Sequence, residues 1–214
     1  MIGDVIIIEE RYLETAKNIL AVIQEKGLTS GGKKIAIGIG GESGSGKSVT
    51  AYALQKVLLD LGLESIVLQM DDYFHLPPRS NHENRVKSLE NVGVHEVNLE
   101  KLSENIKAFR NGESSIEKPL VHYQENKILS ESIDTKYFPF LIIEGTYILD
   151  VDDFDFKIFI DRNYKDTYEN RLNRNRDEKS DFVEQVLDIE HQIIKQYKNK
   201  ADLVLGKDYQ VISK

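Results

Sequence analysis

Hydrophobic positions along this chain fall into two alternating rhythms. Residues 34–39 alternate β-branched and small side chains, the pattern of a strand entering a buried sheet. Leu54, Val57, Leu58 and Leu61 then recur at i, i+3, i+4 and i+7, one face of a helix that Gly62 stops. Residues 64–70 read as a second strand, 140–145 as a continuous apolar strand ending in an acid, and 157–161 as another. Upstream, residues 5–8 read as a short strand or edge ribbon, and Tyr12, Ala16, Ile19 and Ile23 mark an amphipathic helix ending at Gly27. Asn98 can cap a helix with Leu99, Leu102, Ile106 and Phe109 inward, and Asn111 and Gly112 end it. Residues 120–128 read as a strand or hairpin and 163–173 as a helix. Asp181 with Glu184 gives a capping box for a helix with Val183, Val186, Leu187, Ile193 and Ile194 inward; 203–205 and 209–212 close the chain as short strands. Residues 75–97 read as a long polar loop, and loops of that length are usually functional or disordered. Strands alternating with helices predict an α/β fold whose parallel sheet is covered on both sides, with ligands beyond the carboxyl ends of its strands.

One such end carries chemistry. Gly41, Glu42, Ser43, Gly44, Ser45, Gly46, Lys47 and Ser48 fit G-x-x-x-x-G-K-[ST] between the first strand and its helix. The glycines let the main chain wrap an anion, and successive N–H groups with the helix N-terminus supply its partial positive charge. Lys47 would reach the β- and γ-phosphates and the Ser48 hydroxyl would ligate Mg²⁺. The alternative is a flexible glycine turn, which the flanking strand and helix disfavour.

Composition narrows the partners. The chain has 214 residues, 40% hydrophobic and 30% charged, enough for one core and most simply a single domain over residues 1–214. With no cysteines, disulfides and thiolate metal sites are excluded. A net charge of −8 argues against nucleic acid and for a small molecule held by local charges. No apolar run approaches a membrane span, and the run at 5–8 is too short and too acidic in its flank for a signal peptide, so a cytoplasmic location is the default. A homo-oligomer is left open.

Phosphoryl transfer needs a cradle, a metal, a base near the acceptor hydroxyl and cations for the equatorial oxygens. Asp71 or Asp72, at the end of the second strand, can supply the base, with Asp71 better placed. Glu144, ending another strand, can hold the metal or its waters. Arg171, Arg174 and Arg176, with Lys179, form a charged segment that can fold over phosphates as a lid at 171–180, or simply be an exposed helix turn paired with Glu169, Asp177 and Glu178.

From about residue 35 to 205 the chain resembles the uridine kinase and phosphoribulokinase group of P-loop kinases. The carriers are residues 41–48, the run Asp71-Asp72-Tyr73-Phe74, the strand Ile142-Ile143-Glu144-Gly145 and the arginines from Arg171. The resemblance implies the P-loop nucleotide triphosphate hydrolase fold with five parallel strands and an arginine-rich lid, MgATP as donor and a small hydroxyl compound as acceptor. It makes Asp71 the general base, and Ser48 with Glu144 the magnesium environment, Asp71 adjoining it as a further candidate ligand. The acceptor half departs from the uridine kinases: Asn91-Val92-Gly93-Val94-His95-Glu96 stands where they carry an Asn-aromatic-Asp-His-Pro-Asp run, and Gly93 cannot make the ribose contact of its Asp. Tyr73, Arg79, Arg85, His122 and Tyr123 are the candidate acceptor contacts, with residues 75–97 as the acceptor-side loop. A non-nucleoside alcohol, such as a sugar phosphate, a pantothenate-like alcohol or glycerate, is the alternative acceptor. Asn199-Lys200-Ala201-Asp202 matches the N-K-x-D of GTP-binding switches, but it follows a helix and no Asp-x-x-Gly accompanies it.

Overall fold

The computed structural model describes residues 7–168 and 180–212. Six strands form the central sheet: β1 (Ile35–Gly41), β2 (Ser65–Gln69), β5 (Phe140–Gly145), β6 (Phe156–Ile160), β7 (Leu203–Leu205) and β8 (Val211–Ile212), in the order β2-β5-β1-β6-β7-β8. The first five run parallel and β8 returns antiparallel to β7, so the expected five parallel strands gain an antiparallel edge. Every residue of β1, β5 and β6 is buried, which is why those segments read as unbroken apolar runs.

Strand alternation divides the core. Ile37, Ile39, Ile142 and Ile158 face α1 (Glu10–Glu25) and α2 (Lys47–Leu59), packing with Ile19, Ile23, Leu54 and Leu58. Ala36, Leu141, Ile143 and Phe159 face the other way, onto Leu102, Ile106 and Phe109 of α4 (Leu99–Arg110) and Ile194 of α5 (Asp181–Ile194). The cap expected at Asn98 is present: its side chain accepts from the Lys101 amide at 2.9 Å.

The stretch at 75–97 differs from the loop expected there. It holds α3 (Pro78–Lys87), opened by a proline in its first turn, and 3₁₀ turns at Leu89–Asn91 and Val94–Glu96. The helix shows no apolar stripe because its inward groups are polar: Asn81 and Arg85 both donate to buried Glu96. The hairpin is longer than expected, β3 (Ser115–His122) pairing β4 (Lys127–Asp134) from Ser115↔Asp134 to His122↔Lys127. Ile7 and Ile8 make no strand, and the rest of the 5–8 run lies outside the described residues. Of the helix expected at 163–173, residues 163–168 begin with a turn closed by the Thr167 amide on the Asn163 carbonyl at 3.1 Å; the remainder lies outside the described residues. Among the described residues no helix is long and apolar enough to cross a membrane.

Candidate active site

The glycine loop leaves β1 and enters α2 at the carboxyl end of the sheet. Gly44 and Gly46 have φ of 73° and 99°, the left-handed region that side-chain-bearing residues avoid. The loop is supported from outside. The Tyr209 hydroxyl donates to the Ser45 carbonyl at 2.9 Å and stands where a Cβ on Gly46 would lie 2.5 Å away. The Thr167 hydroxyl donates to the Ser43 carbonyl at 2.9 Å. The Glu42 carboxylate accepts from the Tyr164 amide at 2.6 Å and meets His191 Nδ1 of α5 at 2.7 Å. Glu42 thus contributes main chain to the cradle, while its side chain is a strut behind it.

The groups left facing inward fit a magnesium-bound nucleotide tail. Lys47 Nζ donates to the Glu42 carbonyl at 3.0 Å, and the Ser48 hydroxyl donates to Glu144 Oε1 at 2.8 Å. Ser45 Oγ is buried without a hydrogen-bond partner, an unspent donor inside the phosphate loop. Burial pushes the Glu144 carboxyl up; Lys47 and the Ser48 hydrogen bond pull it back, while Asp71 pushes it further up. A divalent cation beside Glu144 would relieve that burial. Among the described residues no three His, Cys, Asp or Glu side chains cluster to hold a metal alone. Magnesium at Ser48 and Glu144 would therefore need nucleotide oxygens and water to complete its shell, as it commonly does.

The paired acids at 71 and 72 separate. They lie in the 3₁₀ turn Met70–Tyr73 after β2, where successive side chains point about 120° apart. Asp72 turns into the protein, accepting from Lys118 Nζ at 2.7 Å and the Val121 amide at 3.0 Å, and so anchors the hairpin. Asp71 stays exposed and lines a cavity of about 330 Å³ together with Ser43 of the phosphate loop and Thr146 beyond β5. Phe182, Val183, Val186 and Leu187 of α5 form one apolar wall, and Phe74, Leu76, Val121 and Tyr123 another. Asn81, His82 and Arg85 of α3 and Glu190 of α5 supply its polar groups.

A glycine loop, a serine–carboxylate pair able to hold magnesium and an exposed carboxylate lining a ligand-sized cavity are the parts of a small-molecule kinase. The model of the phosphoribulokinase/uridine kinase family matches residues 36–204. The chain belongs to that family. It is accordingly an ATP-dependent kinase of the uridine kinase and phosphoribulokinase type, a phosphotransferase with a hydroxyl acceptor. It is 31% identical over 189 residues to the bifunctional alpha-galactosidase/sucrose kinase AgaSK of Mediterraneibacter gnavus, covering 82% of this chain but 20% of that protein. It is 28% identical to the uridine kinase of Ligilactobacillus salivarius, with 81% of this chain and 85% of that one covered. In fold it is similar to a possible uridine kinase from Bacillus stearothermophilus (TM-score 0.63, 19% identity, covering 91% and 97% of the two chains). The phosphoribulokinase from Rhodobacter spheroides is also similar (TM-score 0.62, 13% identity, covering 82% and 71%).

Of the acceptor-side residues expected in this kinase, the structure brings two to the cavity. Arg85 and Tyr123 line it. Tyr73 is buried in the core, its hydroxyl accepting from Asn105 Nδ2 at 2.9 Å. Arg79 instead binds the hairpin turn, donating to the Gln124 carbonyl at 2.6 Å and, from its amide, to Asn126 Oδ1 at 2.8 Å. His122 lies outside the cavity lining and accepts from the Glu125 amide at 3.4 Å. Arg171, Arg174 and Arg176, with the rest of the expected lid to Lys179, lie outside the described residues. The N-K-x-D run precedes β7, whose parallel direction puts it at the end of the sheet opposite the phosphate loop. There Asp202 accepts from the Lys157 amide at 2.8 Å.

Glu190 and Phe182 were missed by sequence reasoning, although Glu190 left a signal. Val183, Val186, Leu187 and Glu190 stand at i, i+3, i+4 and i+7, so an acid occupies the apolar stripe of α5. A buried carboxylate on such a stripe requires a cation, here Arg85.

Proposed function

We propose that this kinase transfers the γ-phosphoryl group of MgATP in line to a hydroxyl group of a small molecule held between α3, α5 and the hairpin. Asp71 is the general base, accepting the hydroxyl proton as the new P–O bond forms. Lys47 holds the β- and γ-phosphate oxygens, the loop amides from 42 to 48 cradle the tail, and Ser48 with Glu144 holds the magnesium, with Asp71 adjoining. The bound magnesium would neutralise charge on the transferring group. The arginines at 171, 174 and 176 are assigned to the same task as a lid. Uridine and sucrose, the substrates in the names of the relatives above, are the first acceptors to try.

The observation that carries this reading is the position of Asp71: exposed on the cavity wall, beside Ser43 of the phosphate loop and close enough to Glu144 to raise its carboxyl. Steady-state ATP consumption with Asp71→Asn tests it. Turnover should fall about 10²–10⁴-fold with ATP affinity nearly intact; an unchanged turnover number would remove Asp71 from the mechanism.

A further inference from the structure

The reading of this cavity as the acceptor site leaves open what kind of acceptor enters, and the charges on its wall bear on that. Among the described residues Arg85 is the only lysine or arginine lining it. Its guanidinium is already engaged: Nε meets Glu96 Oε1 at 2.5 Å, Nη2 meets Glu96 Oε2 at 2.9 Å, and Nη2 also meets Glu190 Oε1 at 3.0 Å. Neither carboxylate can swing clear. Glu96 is 4% exposed and also accepts from Asn81 Nδ2 at 2.9 Å and the Gly93 amide at 2.7 Å. Glu190 is 9% exposed, with Arg85 as its ion-pair partner.

Two carboxylates thus share one guanidinium, and Asp71 adds a third negative group on the same wall. Burial and the neighbouring Glu96 push the Glu190 carboxyl up, while Arg85 and, more weakly, Lys47 pull it down; even a protonated Glu190 leaves Arg85 matched by Glu96. A phosphate ester entering here would lose water and meet, among the described side chains of this wall, more negative than positive charge. An uncharged ring would meet a suitable surface, with Phe182, Val186 and Leu187 against its carbon face and Asn81, His82 and Thr146 near its hydroxyl edge.

We propose that the Glu96–Arg85–Glu190 bridge is a specificity device: by occupying Arg85 it selects an uncharged polyhydroxy acceptor, a free sugar or a nucleoside, over a phosphomonoester. This rests on the assignment of the cavity in the preceding section and separates the uncharged acceptors from the sugar phosphates and glycerate considered at the outset.

Two measurements test it. With the phosphate loop filled by a non-hydrolysable MgATP analogue, inorganic phosphate is titrated against wild type and the double variant Glu96→Gln/Glu190→Gln and followed by ³¹P line width. The variant should bind phosphate at least tenfold more tightly; equal affinities, whether measurable or absent, would overturn the role of the bridge. In wild type, kcat/KM is compared for uridine, fructose and sucrose against the phosphomonoester of each. The uncharged member should be favoured at least 100-fold, and equal or better use of a monoester would overturn the proposal. If no acceptor of either kind were phosphorylated, the kinase assignment of the cavity would fail. The phosphate titration needs no turnover and would still decide the charge argument.

Discussion

Residues 41–48 are contiguous in the chain, whereas the cavity beside them gathers side chains from Asp71 to Glu190. The loop offers main-chain amides, held in shape by Tyr209, Thr167 and the Glu42 strut. The cavity instead offers side chains from α3, the hairpin, α5 and two strand ends. A site made of backbone has little freedom in sequence, since Gly44 and Gly46 must reach φ values open to few other residues. A site made of side chains can change one wall at a time.

That contrast can be broken or sharpened by substitutions on each side. The largest effect is expected on the donor side: Lys47→Ala should lower kcat/KM about 10³-fold whichever acceptor is used, because it removes charge stabilisation from the moving group. Wild-type rates in that variant would contradict the cradle. On the acceptor side, Phe182→Ala removes one apolar wall and should raise the acceptor KM about tenfold with the KM for ATP unchanged. An equal rise in both would mean that the two halves are not separable. The smallest effect concerns the support behind the loop. Asp166 accepts from Lys207 Nζ at 2.6 Å and from the Asn163 amide at 3.1 Å. Burial pushes its carboxyl up, but these hydrogen bonds and the charges of Lys207 and Arg162 outweigh it, holding the group below the usual carboxylate range. With the folded value depressed, its contribution is present above the unfolded value of about 4 and is lost as pH falls through the folded value. Asp166→Asn should therefore lower Tm by about 2 °C or less at pH 7. The gap should close in strongly acidic buffer, and a gap that widened there would reverse the assigned sign.

The same contrast explains what was legible in the sequence. The central strands β1, β5 and β6 are buried on both faces, so their apolar runs showed, and the glycine loop showed because its backbone geometry limits its residues. The two strand-end acids Asp71 and Glu144 followed from topology alone. Helix α3 was not legible, because its inner face is Asn81 and Arg85 on a buried Glu96 and gives no hydrophobic period. Tyr73 and Arg79 sat close to Asp71 in sequence and suggested acceptor contacts, yet one packs in the core and the other ties α3 to the hairpin turn. Phe182 reaches the cavity only through the crossover that returns α5 to the sheet, a tertiary fact with no local pattern, whereas Glu190 showed only as an acid on an apolar stripe. The short strand expected at 209–212 is β8, Val211–Ile212, but its antiparallel direction beside β7 left no mark in the sequence.

The central claim is that the phosphoryl group passes directly from the nucleotide in the glycine loop to a hydroxyl in the cavity lined by Asp71. Incubation of the kinase with magnesium and ATP labelled in its γ-phosphate, with an uncharged sugar or nucleoside present, tests it most directly. The account predicts label in a new phosphomonoester of the acceptor, in proportion to ATP consumed. Label retained covalently on the protein, or released only as inorganic phosphate at the same rate with and without acceptor, would contradict it.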